Sequence, residues 1–421
     1  MNTESTNLNT RTGSGRGNKR LSHYILVLNC GSSSVKFKII DLSTAATVLS
    51  GAITGIGEKS GEHSLKAASD ETANMEKDPF PDYAAAFDAV RRDIDALLET
   101  FPELVIEAIG HRVVHGGAGF TEPVQLTAAV VEEIAALEHL APQHLPGNLM
   151  GIRLCMKQFS NIPQVAVFDS AFHHSMPEYA YRYPVPERWF KEFGIRRYGF
   201  HGSSHQYVAN KAAEMLAKPV AELNLITLHL GNGDSACAIR KGQSIDTSMG
   251  FTPLEGLMMG SRSGDLDASV PLYLQQKHGF SADEIARQLN FESGLQAICG
   301  SHDMREIVSR VEQSDPEATL ALEMFVYHVR KYIGAYLLAL GQVDALVFTG
   351  GIGEHAPLIR ERCCEGIDQL GIALDQQKNL NIDDAAADIS EKSSLIRVLV
   401  IATDEELQIA QEVSSLLGLN G

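Results

Sequence analysis

The stretch ILVLNCGSSSVK, from Ile25 to Lys36, indicates the fold, because its pattern predicts a strand, a tight turn and a returning strand. The apolar run from Ile25 to Leu28 is typical of a short buried strand. At the turn, Gly31 and three serines supply backbone N–H groups and hydroxyls, with the ammonium of Lys36 beside them. Such a tip suits phosphate, although an ordinary solvated hairpin turn has the same composition.

The same pattern returns in the second half of the chain. The segment LITLHLGNGDSACAIR, from Leu225 to Arg240, again predicts strand, glycine turn and strand, with Gly231 in the place of Gly31. Two later pairs also match, since Gly350-Gly351 follows a predicted strand as Gly116-Gly117 does. This recurrence indicates a duplicated domain, although short glycine turns also recur by chance.

The remaining pattern alternates buried strands with helices, which predicts the α/β class. Several polar or glycine positions come directly after predicted strands: Asn29, Asp169, His229, Gly350 and Thr403. Ligands of α/β sheets collect beyond the carboxyl ends of the strands. We therefore expect these positions to contribute to one composite site.

Length and composition restrict the function classes. A chain of 421 residues exceeds what one core usually holds, so two domains are expected. Its 35 basic and 53 acidic residues, a net charge of −18, argue against nucleic-acid binding. No apolar run reaches the roughly 18 residues of a membrane helix. The six scattered cysteines lack C-x-x-C spacing and predict a reduced, cytoplasmic protein.

The polar residues 1–22 lack the apolar middle of a signal peptide and predict a disordered tail. No Walker motif, strand-linked G-x-G-x-x-G or H-R-D signature is present. A phosphate site must therefore use the other glycine turns. Near the end of the chain, Asp404 and its acidic neighbours can cap the final predicted helix.

Four residues have both a structural and a functional interpretation. His201 and His205 have a spacing that could bind zinc, but a helix start capped by Ser203 explains them better. Arg262 lies in a glycine-rich loop with no helical face, and the default for one arginine is the surface. Asp169 could be a simple helix cap.

Eight motifs in order along the chain together resemble the acetate kinase family. They are LNCGSSSVKF (28–37), GHRVVHGG (110–117), VFDSAFH (167–173), YGFHGSSH (198–205), HLGNG (229–233), DTSMGFTPLEGLMMGSRSGDLD (246–267), FTGGIGE (348–354) and TDEE (403–406). The resemblance covers nearly all of the chain after the tail.

The resemblance implies two duplicated α/β domains of the actin-like, ribonuclease H-like type, with an ATP cleft between them. Residues 23–170 with about 407–421 would form the N-terminal domain, on the substrate side. Residues 171–406 would bind the nucleotide and form a homodimer. The implied reaction is Mg²⁺-dependent, reversible transfer of the ATP γ-phosphoryl group to acetate, giving ADP and acetyl phosphate for acetyl-CoA biosynthesis.

The resemblance also assigns residues to roles. Asp169, His201, Arg262 and Arg112 would be catalytic, and Arg112, Val114, Phe200 and Pro253 would bind the substrate. Asn29 and Glu405 would hold Mg²⁺, which Mn²⁺ could replace. The nucleotide would be held by Lys36, His229, Leu230, Gly231, Asn232, Gly233, Asp303, Met304, Arg305, Gly351, Ile352, Gly353, Glu354 and His355.

The chain departs from the usual family pattern at Gln143, His355, Asp404 and Ala268. Gln143 stands in the expected substrate pocket, so the preference among acetate, propionate and butyrate stays open. A propionate or butyrate kinase is therefore one alternative. A non-catalytic actin-like ATP-binding protein is another, but it would not need Arg112, Arg262 and His201 together.

Overall fold

The computed structural model describes residues 23–68, 74–382 and 384–419. Residues 1–22, predicted to be a disordered tail, lie outside the described residues. None of the helices in the described ranges is long and apolar enough to cross a membrane.

The first sheet has eight strands in the order β5-β4-β3-β2-β1-β6-β8-β7. Its strands are β1 (Tyr24–Cys30), β2 (Ser34–Asp41), β3 (Ala46–Thr54), β4 (Gly61–Ala67), β5 (Asn74–Asp78), β6 (Ile106–Val113), β7 (Val124–Gln125) and β8 (Gln164–Phe168). β1, β2 and β3 are antiparallel, whereas β1, β6 and β8 run parallel. The predicted hairpin from Ile25 is therefore present, as β1 and β2.

The second sheet has six strands in the order β11-β10-β9-β12-β14-β13. Its strands are β9 (Asn224–His229), β10 (Ser235–Arg240), β11 (Gln243–Thr247), β12 (Ala345–Thr349), β13 (Ala386–Asp388) and β14 (Arg397–Ile401). It repeats the antiparallel three-strand meander followed by two parallel strands. The shared order, with helices packed on both sheets, confirms the predicted α/β class and its duplicated pattern.

Fifteen α-helices connect and cover these strands within the described residues. They are α1 (Tyr83–Thr100), α2 (Ala128–Ala135), α3 (Leu145–Gln158), α4 (Glu178–Tyr181), α5 (Glu187–Phe193), α6 (Gly202–Leu216), α7 (Ser269–His278), α8 (Ala282–Phe291), α9 (Gly294–Cys299), α10 (Met304–Glu312), α11 (Pro316–Leu340), α12 (Gly350–His355), α13 (Pro357–Cys364), α14 (Gln376–Leu380) and α15 (Glu405–Leu417).

The last helix, α15, returns from the second sheet to the first. Its buried side chains, including Ile409 and Val413, pack with Val27 of β1 and Val167 of β8 in one apolar cluster. Asp404 caps the helix, since its carboxylate accepts a hydrogen bond from the backbone N–H of Leu407. This packing supports the proposed assignment of residues from about 407 onward to the N-terminal domain.

Gly110 on β6 allows α15 to approach the sheet. A methyl group at this position would lie 2.8 Å from Ile409 Cγ2 and 3.0 Å from Val413 Cγ2. We expect Gly110→Ala to lower the free energy of unfolding by about 1–3 kcal/mol, because the core would be overpacked. A shift of the urea midpoint measures this effect.

Gly334, inside α11, is the matched control, because a methyl group there would meet no atom within 4 Å. Gly334→Ala should raise stability by roughly 1 kcal/mol, since alanine favours a helix interior. Equal midpoints for the Gly110→Ala and Gly334→Ala proteins would contradict the close-packing argument.

Candidate active site

Three parallel strands bring separate polar residues to one edge of the first sheet. Leu28 of β1 is paired with His111 of β6, and Val113 of β6 with Phe168 of β8. Asn29 and Arg112 are therefore neighbours across two strands, and Asp169 follows directly on the third. Two of the five positions predicted beyond the carboxyl ends of strands, Asn29 and Asp169, therefore lie at this edge.

Arg112 and Asp169 form a two-pronged ion pair at this edge. The guanidinium donates from Nε to Oδ1 at 3.0 Å and from Nη2 to Oδ2 at 2.6 Å. Asp169 is 1% exposed, and burial raises its pKa although the charge of Arg112 opposes that shift. Burial also works to lower the pKa of Arg112, but the carboxylates of Asp169 and Glu405 outweigh it and raise that pKa. The carboxylate of Asp169 therefore orients Arg112, and the short 3-10 helix that follows has Ser170 as its N-cap.

Glu405 approaches the same guanidinium from the start of α15. Its Oε2 lies 3.4 Å from Arg112 Nε. The neighbouring acids form ion pairs with a different cation, Lys38, whose Nζ lies 3.1 Å from Asp404 and 3.0 Å from Glu406. Glu405 is therefore the acid of the TDEE motif that faces the site.

Arg262 is a partly buried cation beside the β9–β10 turn. Its Nη1 donates to the carbonyl of Pro253 at 3.1 Å and contacts Met259 Sδ at 3.8 Å. In the described part of the chain it makes no ion pair. Burial lowers its pKa, with the nearby carboxyl of Asp234 working in the opposite direction. Asp234 is fully buried, and burial raises its pKa well above the ordinary value, whereas the backbone N–H of Gly231 and the charge of Arg262 act in the opposite direction.

His201 lies beside Arg262. A methyl group on Gly233 would be 3.3 Å from Arg262 Nη1 and 3.7 Å from His201 Nε2, so both donors border the same space. His201 is the N-cap of α6 and has a left-handed backbone, with φ of 57°. The prediction that Ser203 caps this helix is wrong, because the helix already begins at Gly202. The left-handed residue directs its ring back toward the β9–β10 turn.

The two predicted arginines share one neighbourhood. The pKa of His201 lies well below its ordinary value, first because of burial and then because of nearby charges that include Arg112 and Arg262. The same two guanidiniums also lower the pKa of His144, after the larger effect of burial. Positive groups from separate segments of the chain therefore act electrostatically on the same two histidines.

The glycine turns after β9 and β12 are joined through the backbone of Leu230. Its carbonyl accepts from Ile352 N at 2.8 Å and from Gly353 N at 3.2 Å. Gly350 has a φ of 77°, and a methyl group there would collide with Leu230. Around Gly351, by contrast, no atom would meet a methyl group within 4 Å. The joined turns leave open space above them.

The other predicted nucleotide-binding residues lie around these turns or on nearby surface. The backbone of Asn232 accepts from Gly260 N at 3.2 Å, and Gly260 also borders His302, just before the Asp303–Arg305 turn. Arg305 pairs with Asp303 at 2.7 Å and is 91% exposed. Met304 is buried, whereas His355 and Lys36 are exposed. His229 is the last residue of β9.

The predicted substrate-binding residues divide between two places. Val114 packs against Phe200 in a small buried cluster with Met249 and Met259. Pro253 instead lines a cavity of about 380 Å³ with Arg262, His144 and the divergent Gln143. Because Arg262 contacts both Pro253 and Met259, it lies between the cluster and the cavity.

The zinc alternative gains no support. The described ranges contain no group of three His, Cys, Asp or Glu side chains that could hold a metal ion. His205 instead makes hydrogen bonds to two hydroxyls, Thr227 Oγ1 and Ser235 Oγ, each at 2.8 Å. These contacts use both of its ring nitrogens.

Sequence analysis missed a layer of buried hydroxyls behind the predicted site. Ser235 contacts His201 as well as His205, and Ser204 contacts both His229 and Thr403. One signal was available, because Thr227 and His229 stand two apart in a buried strand and therefore share a face. Polar residues on a buried face indicate a hydrogen-bonded network.

Comparisons with known proteins agree on one family. The model of the acetokinase family matches residues 24–411. The acetate kinase of Helicobacter pylori (strain Shi470) is 46% identical over 396 residues, which cover 93% of this chain and 98% of that protein.

Two solved structures share the fold over similar lengths. A propionate kinase from Francisella tularensis subsp. tularensis SCHU S4 has a TM-score of 0.87 and 43% identity, covering 93% of this chain and 98% of its own. The acetate kinase of Porphyromonas gingivalis has a TM-score of 0.87 and 38% identity, covering 94% and 100%.

Proposed function

The chain belongs to the acetokinase family, and we propose that it transfers the γ-phosphoryl group of ATP directly to acetate between Arg112 and Arg262. The prediction of an ATP-dependent acetate kinase is confirmed by this membership and by the identity to acetate kinases over most of the chain. The roles of individual residues are the proposal.

The single observation that supports these roles is the guanidinium of Arg262 beside the β9–β10 turn, which makes no ion pair in the described part of the chain. Acetate is ionised at neutral pH, so its attack on phosphorus needs no strong general base. The difficulty is to bring two anions together, and a fixed, partly desolvated cation lowers that cost. Arg262 can supply its charge because it makes no ion pair among the described residues.

Arg112 has a different role. Its guanidinium is oriented by Asp169 and lies near Glu405, so much of its charge is balanced within the protein. We assign it to positioning the carboxylate of acetate, with the buried Val114–Phe200 cluster beside the methyl group. Asp169 fixes the direction of Arg112 and does not itself accept the phosphoryl group.

The residues near Arg112 fit Mg²⁺. This ion prefers oxygen ligands and is usually held by one or two carboxylates together with substrate phosphates and water. The amide of Asn29 and the carboxylate of Glu405 provide such oxygens around Arg112. When bound, Mg²⁺ would neutralise phosphate charge, and Mn²⁺ could replace it. Asn29 and Glu405 would hold the ion.

The nucleotide would lie over the joined glycine turns. Gly351 has open space where a side chain would be, and a methyl group at Gly231 would come no closer than 3.7 Å to any neighbour, which suits close approach of phosphates to the backbone. Lys36 and the exposed Arg305 would contribute positive charge. The other residues of the predicted nucleotide set keep their proposed roles.

A homodimer in the cytoplasm is also part of the proposal. Three apolar side chains of α11 are strongly exposed, namely Leu320, Tyr327 and Leu338, at 51%, 62% and 87%. Exposed apolar side chains on one long helix suit a protein contact. We also propose the domain division given above, in which residues 171–406 bind the nucleotide and form the dimer contact.

A panel of short acids tests the substrate. With ATP and Mg²⁺, we expect acyl hydroxamate formation with kcat/KM highest for acetate and lower for propionate and butyrate. The reason is that Phe200, 2% exposed, closes the apolar cluster against longer chains, and one methylene changes kcat/KM by about 10–200-fold. A higher kcat/KM for propionate would instead favour the propionate kinase alternative.

The non-catalytic alternative predicts a different result in the same assay. An actin-like ATP-binding protein would bind ATP and form no acyl phosphate with any acid. Isothermal titration with a non-hydrolysable ATP analogue, run in parallel, separates a protein that fails to bind from one that binds without catalysis.

A further inference from the structure

His201 lies at the end of a chain of hydrogen bonds that begins at Thr227 in β9. Thr227 Oγ1 lies 2.8 Å from His205 Nδ1, and His205 Nε2 lies 2.8 Å from Ser235 Oγ. Ser235 Oγ then lies 2.9 Å from His201 Nδ1. Thr227, His205 and Ser235 are all 0% exposed, so these contacts are shielded from water.

The direction of this chain follows from its first member. A hydroxyl has one proton to donate, and a buried donor without an acceptor is costly. Among the described residues, the side chain of Thr227 has one hydrogen-bond partner, His205 Nδ1. Thr227 is satisfied only if it donates to that nitrogen, and His205 then carries its proton on Nε2.

The remaining bonds follow in turn. His205 Nε2–H donates to Ser235 Oγ, so the proton of Ser235 is left to donate to His201 Nδ1. His201 Nδ1 is then an acceptor, and the proton of the neutral ring must be on Nε2. In the reverse direction, the proton of Thr227 would be buried without an acceptor.

Both rings are neutral in this arrangement. Burial lowers the pKa of His201 and of His205 well below the ordinary value, and neighbouring rings lower both further. Arg112 and Arg262 add to this effect at His201. An uncharged ring offers one N–H donor, and its position depends on the tautomer.

We infer that Thr227, His205 and Ser235 are positioning residues that lock His201 as the Nε2–H tautomer and aim that proton at the transferring phosphoryl group. The inference rests on the proposed function for the identity of the acceptor. Its target is the space next to Gly233, which Arg262 also borders. His201 thus acts as a neutral donor, without gaining or losing a proton during the reaction.

The tautomer can be measured directly in the unliganded protein. Two-bond ¹H–¹⁵N spectra of protein labelled with ¹⁵N-histidine distinguish Nδ1–H from Nε2–H, and the His201 signals are assigned by their loss in His201→Gln. We expect Nε2–H in the unaltered protein. Thr227→Val and Ser235→Ala should each convert His201 to a mixture of tautomers, because the donor to Nδ1 is lost or free to rotate.

The matched control is Ser244→Ala. Ser244 is equally buried and lies 2.9 Å from Nδ1 of another buried histidine, His173, but it is not part of the chain that ends at His201. Its removal should leave the His201 tautomer and kcat unchanged. Thr227→Val and Ser235→Ala should lower kcat by about tenfold, as loss of an outer partner of a functional histidine commonly does, with KM for ATP little altered.

Activity supplies the second readout. In a His201→Gln background the tautomer no longer exists, so adding Thr227→Val should cause no further loss of kcat. The inference is overturned if His201 is already Nδ1–H in the unaltered protein, or if Thr227→Val leaves its tautomer unchanged. Thr227→Val preserves shape, so it decides the question even if Ser235→Ala does not fold. If the unaltered protein forms no acyl phosphate, that result overturns the proposed function and not the tautomer inference.

Discussion

Arg262→Ala is expected to lower kcat/KM for acetate by about 10²–10³-fold, the usual cost of removing one charge-stabilising donor from a transition state. The physical reason is that this guanidinium is partly buried and has no ion-pair partner among the described residues. Its charge is therefore available for the phosphoryl group. The hydroxamate assay under steady-state conditions measures the change.

Two further variants test whether the loss of kcat/KM in Arg262→Ala comes from the missing charge or from the missing planar geometry of the guanidinium. Arg262→Lys keeps the charge but not the planar fork, so it should recover only part of the loss. Arg287→Ala is the matched control, because this exposed arginine of the nearby helix α8 pairs with Glu292. Its kcat/KM should stay within about twofold of the unaltered value. A similar loss in Arg287→Ala and Arg262→Ala would contradict the role given to Arg262.

Asp169→Asn is expected to reduce kcat by about 10²-fold, although Asp169 is not proposed to react. The amide cannot accept two hydrogen bonds from Arg112 as the carboxylate does, because one of its two terminal atoms is itself a donor. Arg112 would then turn toward Glu405, which already lies 3.4 Å away. The acetate-binding guanidinium and the proposed Mg²⁺ ligand would both be displaced.

The control for this substitution is a similar pair away from the site. Asp388 pairs with Arg397, at 3.0 Å from its Nε, on the second sheet. Asp388→Asn should therefore leave kcat close to the unaltered value, whereas thermal unfolding reports any general loss of stability in both proteins. Full turnover by Asp169→Asn would remove Asp169 from the mechanism.

Much of the fold was predictable from local pattern. The apolar runs at Ile25 and Leu225, each followed by a glycine turn, predicted two matching strand–turn–strand openings, and both are present. The family was predictable because its motifs are contiguous in the chain, and the match over residues 24–411 confirms it. The roles of the individual site residues remain predictions.

Other features were not predictable because they depend on residues far apart in the chain. The cap of α6 was wrongly placed at Ser203, because a left-handed His201 is rare and its ring is held by Ser235 from another element. The division of the substrate residues between a buried cluster and an open cavity likewise results from packing between distant loops.

By itself, the sequence determined the α/β class, the duplicated opening and the family, because periodicity and motifs are local properties of the chain. Only the tertiary structure decided which arginine has its charge balanced by a protein carboxylate. Arg112 meets Asp169, 57 positions away, whereas Arg262 makes no ion pair in the ranges that the structure describes. The charge available to a substrate depends on every neighbour in space, and folding alone brings those neighbours together.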